Sequence, residues 1–202
     1  MAGAGDDDIG VAGNGERFLI TLDRVVFGLY HARSVADRPN HNAFIDAQNV
    51  NLGVQAMGWK LDFQRFRVYL RDKYGITRAF LFLGRIKQNE PLYQALRRYG
   101  YELVFKEVVT GKDGKIKGNV DAELVLQAMI EYPHYEQAVI VTSDGDFACL
   151  VRYLYEKGKL RAVLSPSHVH CSVLLRRAGK EKVMFFENLR GKLTYEAGRS
   201  TA

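Results

Sequence analysis

Val139-Ile140-Val141-Thr142-Ser143-Asp144-Gly145-Asp146-Phe147 carries three apolar β-formers straight into a cluster of hydroxyls and carboxylates. The apolar run predicts a strand buried on both faces, as in a parallel sheet. The polar cluster then falls at the strand's carboxyl end, where open α/β sheets bind their ligands. Two aspartates one residue apart repel each other, and a divalent cation between them removes that cost. The stretch therefore points to an α/β frame with a metal site at its edge.

Outward from it, strand patterns alternate with helix patterns. Strands are expected at residues 43–46, 78–83, 102–109, 161–164 and 183–186, beside the central one. Helices are expected at residues 61–73, 91–99, 120–131, 147–157 and 173–178. Asn119 is a candidate cap for the third of these, and Asp146 for the fourth. Such alternation argues for a mostly parallel sheet with helices on both faces. The segment TGKDGKIKGN at residues 110–119 reads as a mobile basic loop.

Ahead of this frame, residues 1–15 are rich in Gly, Ala and Asp and read as a disordered tail. Phe18, Leu19, Leu22, Val25, Val26, Leu29 and Tyr30 recur at helical spacing. They predict an N-terminal amphipathic helix over residues 16–32, packed on the domain or on a second copy as a homodimer. Residues 33–42 read as a linker, residues 43–190 as the domain, and residues 191–202 as a C-terminal tail.

The 202 residues, 47% of them hydrophobic, suffice for a core without disulfides. Net charge is +6, which favours an anionic partner, nucleic acid being the common case. Cys149 and Cys171 fit no metal-binding spacing and read as reduced thiols, in keeping with a cytoplasmic protein. No apolar run approaches the ~20 residues that span a bilayer.

Four carboxylates stand where a strand ends or a helix begins: Asp46, Asp121, Asp144 and Asp146. In a parallel sheet all strand carboxyl ends share one edge, and a helix N-terminus there brings Asp121 to the same pocket. Each residue singly has a plainer reading as turn or cap chemistry. Together they describe an oxygen-ligand site for Mg²⁺ or Mn²⁺, whose chemistry in a basic protein suits phosphodiester hydrolysis. Arg85, Lys87, Lys112, Lys115 and Lys117 are candidates to follow an RNA backbone, and Trp59 is a candidate stacking surface for unpaired bases. Phe147 reads as core. His168 and His170 form a His-x-His pair without a third ligand nearby.

These residues resemble a known family. Ala43-Phe44-Ile45-Asp46-Ala47-Gln48-Asn49 resembles the first motif of NYN-domain proteins, of the PIN-like nuclease superfamily. Lys117-Gly118-Asn119-Val120-Asp121 resembles the second, and Val141-Thr142-Ser143-Asp144-Gly145-Asp146-Phe147 the third. The LabA-like branch is the nearest. The resemblance implies a PIN-like three-layer α/β/α sandwich and a metal-dependent ribonuclease acting on single-stranded RNA, with a non-catalytic RNA-binding module as the alternative. It makes Asp46, Asp121, Asp144 and Asp146 the acidic set, has Asn49 orient Asp46 or a metal-bound water, and has Ser143 bond within the pocket. Many PIN-like enzymes carry a further acid on an early helix. Asp62, Asp72 and Glu90 are available here but match no motif, so one metal ion is expected. A phosphatase of another α/β family is disfavoured, since Ala47-Gln48 follows Asp46 where a nucleophilic Asp-x-Asp pair would stand.

Overall fold

The computed structural model describes residues 40–106, 109–110, 116–117 and 120–196. The expected N-terminal tail and helix therefore lie outside the described residues, as do Lys112, Lys115 and Asn119. No described helix is long and apolar enough to cross a membrane.

In chain order the main elements are β1 (His41–Asp46), α1 (Ala47–Ala56), α2 (Phe63–Tyr74), β2 (Ile76–Gly84), α3 (Glu90–Arg98), β3 (Tyr101–Lys106), β4 (Val109–Thr110) and β5 (Ile116–Lys117). There follow α4 (Asp121–Ile130), β6 (Gln137–Val141), α5 (Ala148–Glu156), β7 (Leu160–Ser165), α6 (Val173–Gly179), β8 (Val183–Phe185) and α7 (Arg190–Leu193). Six strands form one sheet in the order β3-β2-β1-β6-β7-β8, and every pairing in it is parallel. β4 and β5 form a separate antiparallel pair within the expected basic loop.

The strands are apolar on both sides because both faces are covered. Ala43 and Ile45 of β1, Ala79 and Leu81 of β2, and Val139 and Val141 of β6 join one core with residues of α1, α2, α3 and α7. Their alternates Phe44, Phe80, Phe82, Ala138 and Ile140 join a second core with α4, α5 and α6. Phe44 and Phe80 stack there with ring centroids 5.2 Å apart. The result is a three-layer α/β/α sandwich with a parallel sheet.

Residues 191–196, within the expected C-terminal tail, pack on the first of these cores. Leu193 is buried, Thr194 pairs with Leu61, and the Tyr195 N–H donates to the Lys60 carbonyl at 2.9 Å.

Strand order locates the site. From β1 the chain winds one way through β2 and β3, then returns to β6 on the other side of β1 and winds outward through β7 and β8. β1 and β6 are thus neighbours at the point where the order reverses, and the crevice beyond their carboxyl ends is where such sheets bind ligands. Asp46 ends β1, and Asp144 follows β6 by three residues.

Candidate functional site: a carboxylate cluster at the switch point

Each acid is placed by a specific local device. Asp46 is the N-cap of α1, and its Oδ1 accepts the Asn49 backbone N–H at 3.1 Å. α1 begins immediately after Asp46, so the carboxylate sits between the end of a strand and the positive end of a helix. Asp121 is the first residue of α4, beside the buried Val120. Asp144 caps the 3₁₀ turn that leads into α5, its Oδ1 accepting the Asp146 N–H at 3.0 Å. Asp144, not Asp146, is therefore the capping residue, and the Asp146 side chain is left exposed.

Asp121, Asp144 and Asp146 each offer a carboxylate oxygen, and these atoms lie within 4.8 Å of one another. It is the one such acidic, His or Cys grouping among the described residues. Asp46, expected as a fourth metal ligand, is not in this group; it is buried, 6% exposed. Burial pushes its carboxyl from 3.8 up to about 6, opposed by the Asn49 N–H and reinforced by the charges of Asp121 and Asp144. The charges of Asp121 and Asp144, from two distant segments, are thus felt at Asp46 on a third.

A network of small polar groups holds the two strand ends in register. The Asn49 side-chain Oδ1 accepts the Ser143 N–H at 2.7 Å, tying α1 to the end of β6. Asn49, expected to orient Asp46 or a metal-bound water, does hold Asp46 through its backbone N–H, and its side chain in addition holds the Ser143–Asp146 turn. Ser143 Oγ lies 2.9 Å from Ser165 Oγ. Ser165 donates to the Ser167 carbonyl at 3.1 Å, so its one proton is committed and Ser143 is the donor between the hydroxyls. Thr142 Oγ1 accepts the Asp144 N–H at 3.1 Å. Thr142, Ser165 and Ser172 were missed from sequence. The available signal was a Ser at the carboxyl end of another strand of the same sheet.

Gly145 is required by close approach, since a Cβ there would lie 2.4 Å from Ser172 Oγ. That hydroxyl in turn accepts the Leu174 N–H at 3.2 Å and caps α6.

The remaining candidates divide. Trp59 is a correction: it is 6% exposed and belongs to the core with Leu61 and Phe66, so it offers no face to a base. Phe147 is fully buried, as expected. Arg85 is exposed just beyond β2, its guanidinium 5.5 Å from the Phe105 ring centroid. Lys87 opens a 3₁₀ turn after it, and Lys117 lies on β5. His168 packs edge-on against Phe185 at 5.0 Å, with Nε2 3.3 Å from Arg176 Nη1, and neither His168 nor His170 joins the acid group. The three spare acids are engaged elsewhere. Asp62 caps α2 and pairs with Arg65, Asp72 bonds Arg71, and Glu90 pairs with Arg97.

A donor set made only of carboxylate oxygens suits a hard divalent cation such as Mg²⁺ or Mn²⁺ better than zinc, whose sites are usually built with nitrogen or sulfur ligands. With the acids standing at the β1/β6 switch point in this order along the chain, the comparison with known families is decisive: the NYN domain matches residues 42–183. The chain belongs to the NYN domain family. NYN domains are part of the PIN-like group, in which nuclease activity and divalent metals are general. A solved structure of similar fold, a protein of unknown function from Vibrio parahaemolyticus, is 21% identical. It covers 71% of this chain and 91% of its own, with a TM-score of 0.61. At that identity the likeness is one of fold. No curated protein matches the sequence.

Proposed function

We propose that this NYN domain is a divalent-metal-dependent ribonuclease that hydrolyses phosphodiester bonds of single-stranded RNA. The observation that carries the reading is the convergence of Asp121, Asp144 and Asp146 within 4.8 Å, beside the buried Asp46. Asp121, Asp144 and Asp146 would hold Mg²⁺ or Mn²⁺. Such an ion supplies a bound water of lowered pKa and balances charge on a phosphate. Asp46, buried and held by the Asn49 N–H, would take a proton from a water at the cluster. The Thr142, Ser143 and Ser165 hydroxyls keep the Asp144–Asp146 turn fixed, so the acids do not reorganise when substrate arrives. The net charge of +6 and the exposed Arg85 favour retention of a polyanion. The LabA-like branch is the part of the family to which we assign it.

The engagement of Asp62, Asp72 and Glu90 elsewhere motivates a second reading, an RNA-binding module without turnover. Labelled RNA incubated with Mn²⁺ or Mg²⁺ separates the two. The nuclease reading expects cleavage that EDTA abolishes and that Asp144→Asn slows at least 100-fold. Cleavage at an equal rate by Asp144→Asn sinks it. RNA binding that persists in EDTA, with no cleavage under either metal, establishes the second reading.

A further inference from the structure

A second concavity opens on the other side of the same sheet edge. Asp46 pairs with Phe82 in the register of β1 against β2, so Leu83 and Gly84 extend one and two residues past it. They form one wall of a cavity of about 770 Å³ that starts at Ala47, the residue after Asp46. This is the volume of a small-molecule site.

The lining has a particular chemistry. Gln48, Asn51 and Gln55 stand at i, i+3 and i+7 along α1, which places them on one face of that helix, and Asn89 joins them from across the mouth. None of these four side-chain amides makes a hydrogen bond among the described residues. Lys60 is the one charged residue in the lining and no carboxylate is present. Leu83 and Leu92 are among its apolar lining, and Tyr195 adds an aromatic face that is 56% exposed. The Tyr93 hydroxyl accepts the Ile86 N–H at 2.9 Å and so fixes the loop leaving β2 that forms the rim.

With Lys60 the single charge among four neutral amides and apolar and aromatic walls, the lining does not describe a phosphate site. It describes a site for a planar, uncharged, hydrogen-bonding ring. The geometry points to this cavity as a nucleobase pocket. It would receive one unpaired base of the RNA strand whose phosphate lies at the acidic cluster, and it would bias cleavage towards particular bases. Asp46 feels the charges of Asp121 and Asp144, and the next residue, Ala47, lines the cavity, so Asp46 links the two sites. The inference rests on the reading of the acidic cluster as an RNA site, but it is tested by binding without cleavage.

Side-chain amide signals of Gln48, Asn51 and Gln55 are followed by NMR in EDTA. The titrants are AMP, GMP, CMP and UMP, ribose 5-phosphate, and eight-nucleotide RNAs. At least one nucleotide should move these signals while ribose 5-phosphate does not. An oligonucleotide should act at concentrations at least tenfold lower than the mononucleotide. Replacing Asn51 and Gln55 together by Leu should weaken binding at least tenfold. In the presence of Mn²⁺ it should also flatten any base preference in the cleavage map at least fivefold. The pocket is refuted if ribose 5-phosphate perturbs the amides as strongly as every nucleotide does. It is refuted as a subsite for the RNA strand if mononucleotides outcompete all oligomers. Absence of cleavage under any metal removes the nuclease reading alone, because the titration of the wild-type protein still decides the pocket.

Discussion

Asp46→Asn is expected to stabilise the metal-free protein at neutral pH while impairing its function. The folded state holds the Asp46 carboxyl at about 6 against an ordinary 3.8, chiefly through burial and then through the charges of Asp121 and Asp144. A raised folded-state pKa on an acid means that the protonated form is the one the fold prefers. The associated stability is complete below about pH 3.8 and is lost as pH rises through about 6. A displacement of that size corresponds to about 3 kcal/mol by pH 8. Asn is nearly isosteric with Asp, and its Oδ1 can still accept the Asn49 N–H, so the cap on α1 is retained. Reorganisation around the amide offsets part of the gain. A net of about 1–3 kcal/mol translates to a rise of roughly 3–10 °C in Tm for a domain of this size. The assay is thermal unfolding of wild type and variant in EDTA from pH 4 to pH 8, repeated with Mn²⁺. The two curves should meet near pH 4 and separate towards pH 8, and Mn²⁺ should raise the wild type more than the variant. A gap independent of pH, or a less stable variant at pH 8 in EDTA, would refute the account of Asp46 as a carboxylate destabilised chiefly by burial and further by Asp121 and Asp144.

Two further substitutions probe the supports of the site, and a third probes the core beside it. Asn49→Ala deprives the Ser143 N–H of its acceptor, which should cost about 1–3 kcal/mol in urea unfolding and weaken Mn²⁺ binding measured by calorimetry. Gly145→Ala must displace Ser172, the cap of α6. It should cost about 1–2 kcal/mol, and the additional change Ser172→Gly should restore part of both stability and Mn²⁺ affinity. Trp59→Ala opens a cavity in the core and should cost about 3–5 kcal/mol. RNA affinity per folded molecule, measured by fluorescence anisotropy, should stay unchanged.

The sheet was readable because its strands are buried on both faces. Runs such as Ala43–Ile45 and Val139–Val141 have no polar alternation, and that is the mark of a parallel sheet under two helical layers. The acids were readable for a related reason, since parallel strands bring all their carboxyl ends to one edge. α1 was not readable. Its sequence AQNVNLGVQA buries only Val50 and Val54 and contains Asn and Gly, poor helix formers, so neither periodicity nor propensity marks it. The helix is set by the Asp46 cap and by packing on the sheet. The amide face it presents to the second cavity was invisible for the same reason. Trp59 misled because an aromatic between Gly58 and Lys60 has exposed-looking neighbours in sequence while its own ring faces the core. His41 and Asn42 extend β1 two residues beyond the expected start although both are polar, because the pairing of β1 with β2 and β6 buries them.

The central claim is that Asp121, Asp144 and Asp146, with Asp46 beside them, form a divalent-metal site at the β1/β6 switch point. The most direct measurement is the anomalous difference density of crystals soaked in Mn²⁺. The account predicts a peak bounded by the Asp121, Asp144 and Asp146 carboxylates that disappears in Asp144→Asn. Saturating Mn²⁺ with no peak among these carboxylates would contradict it.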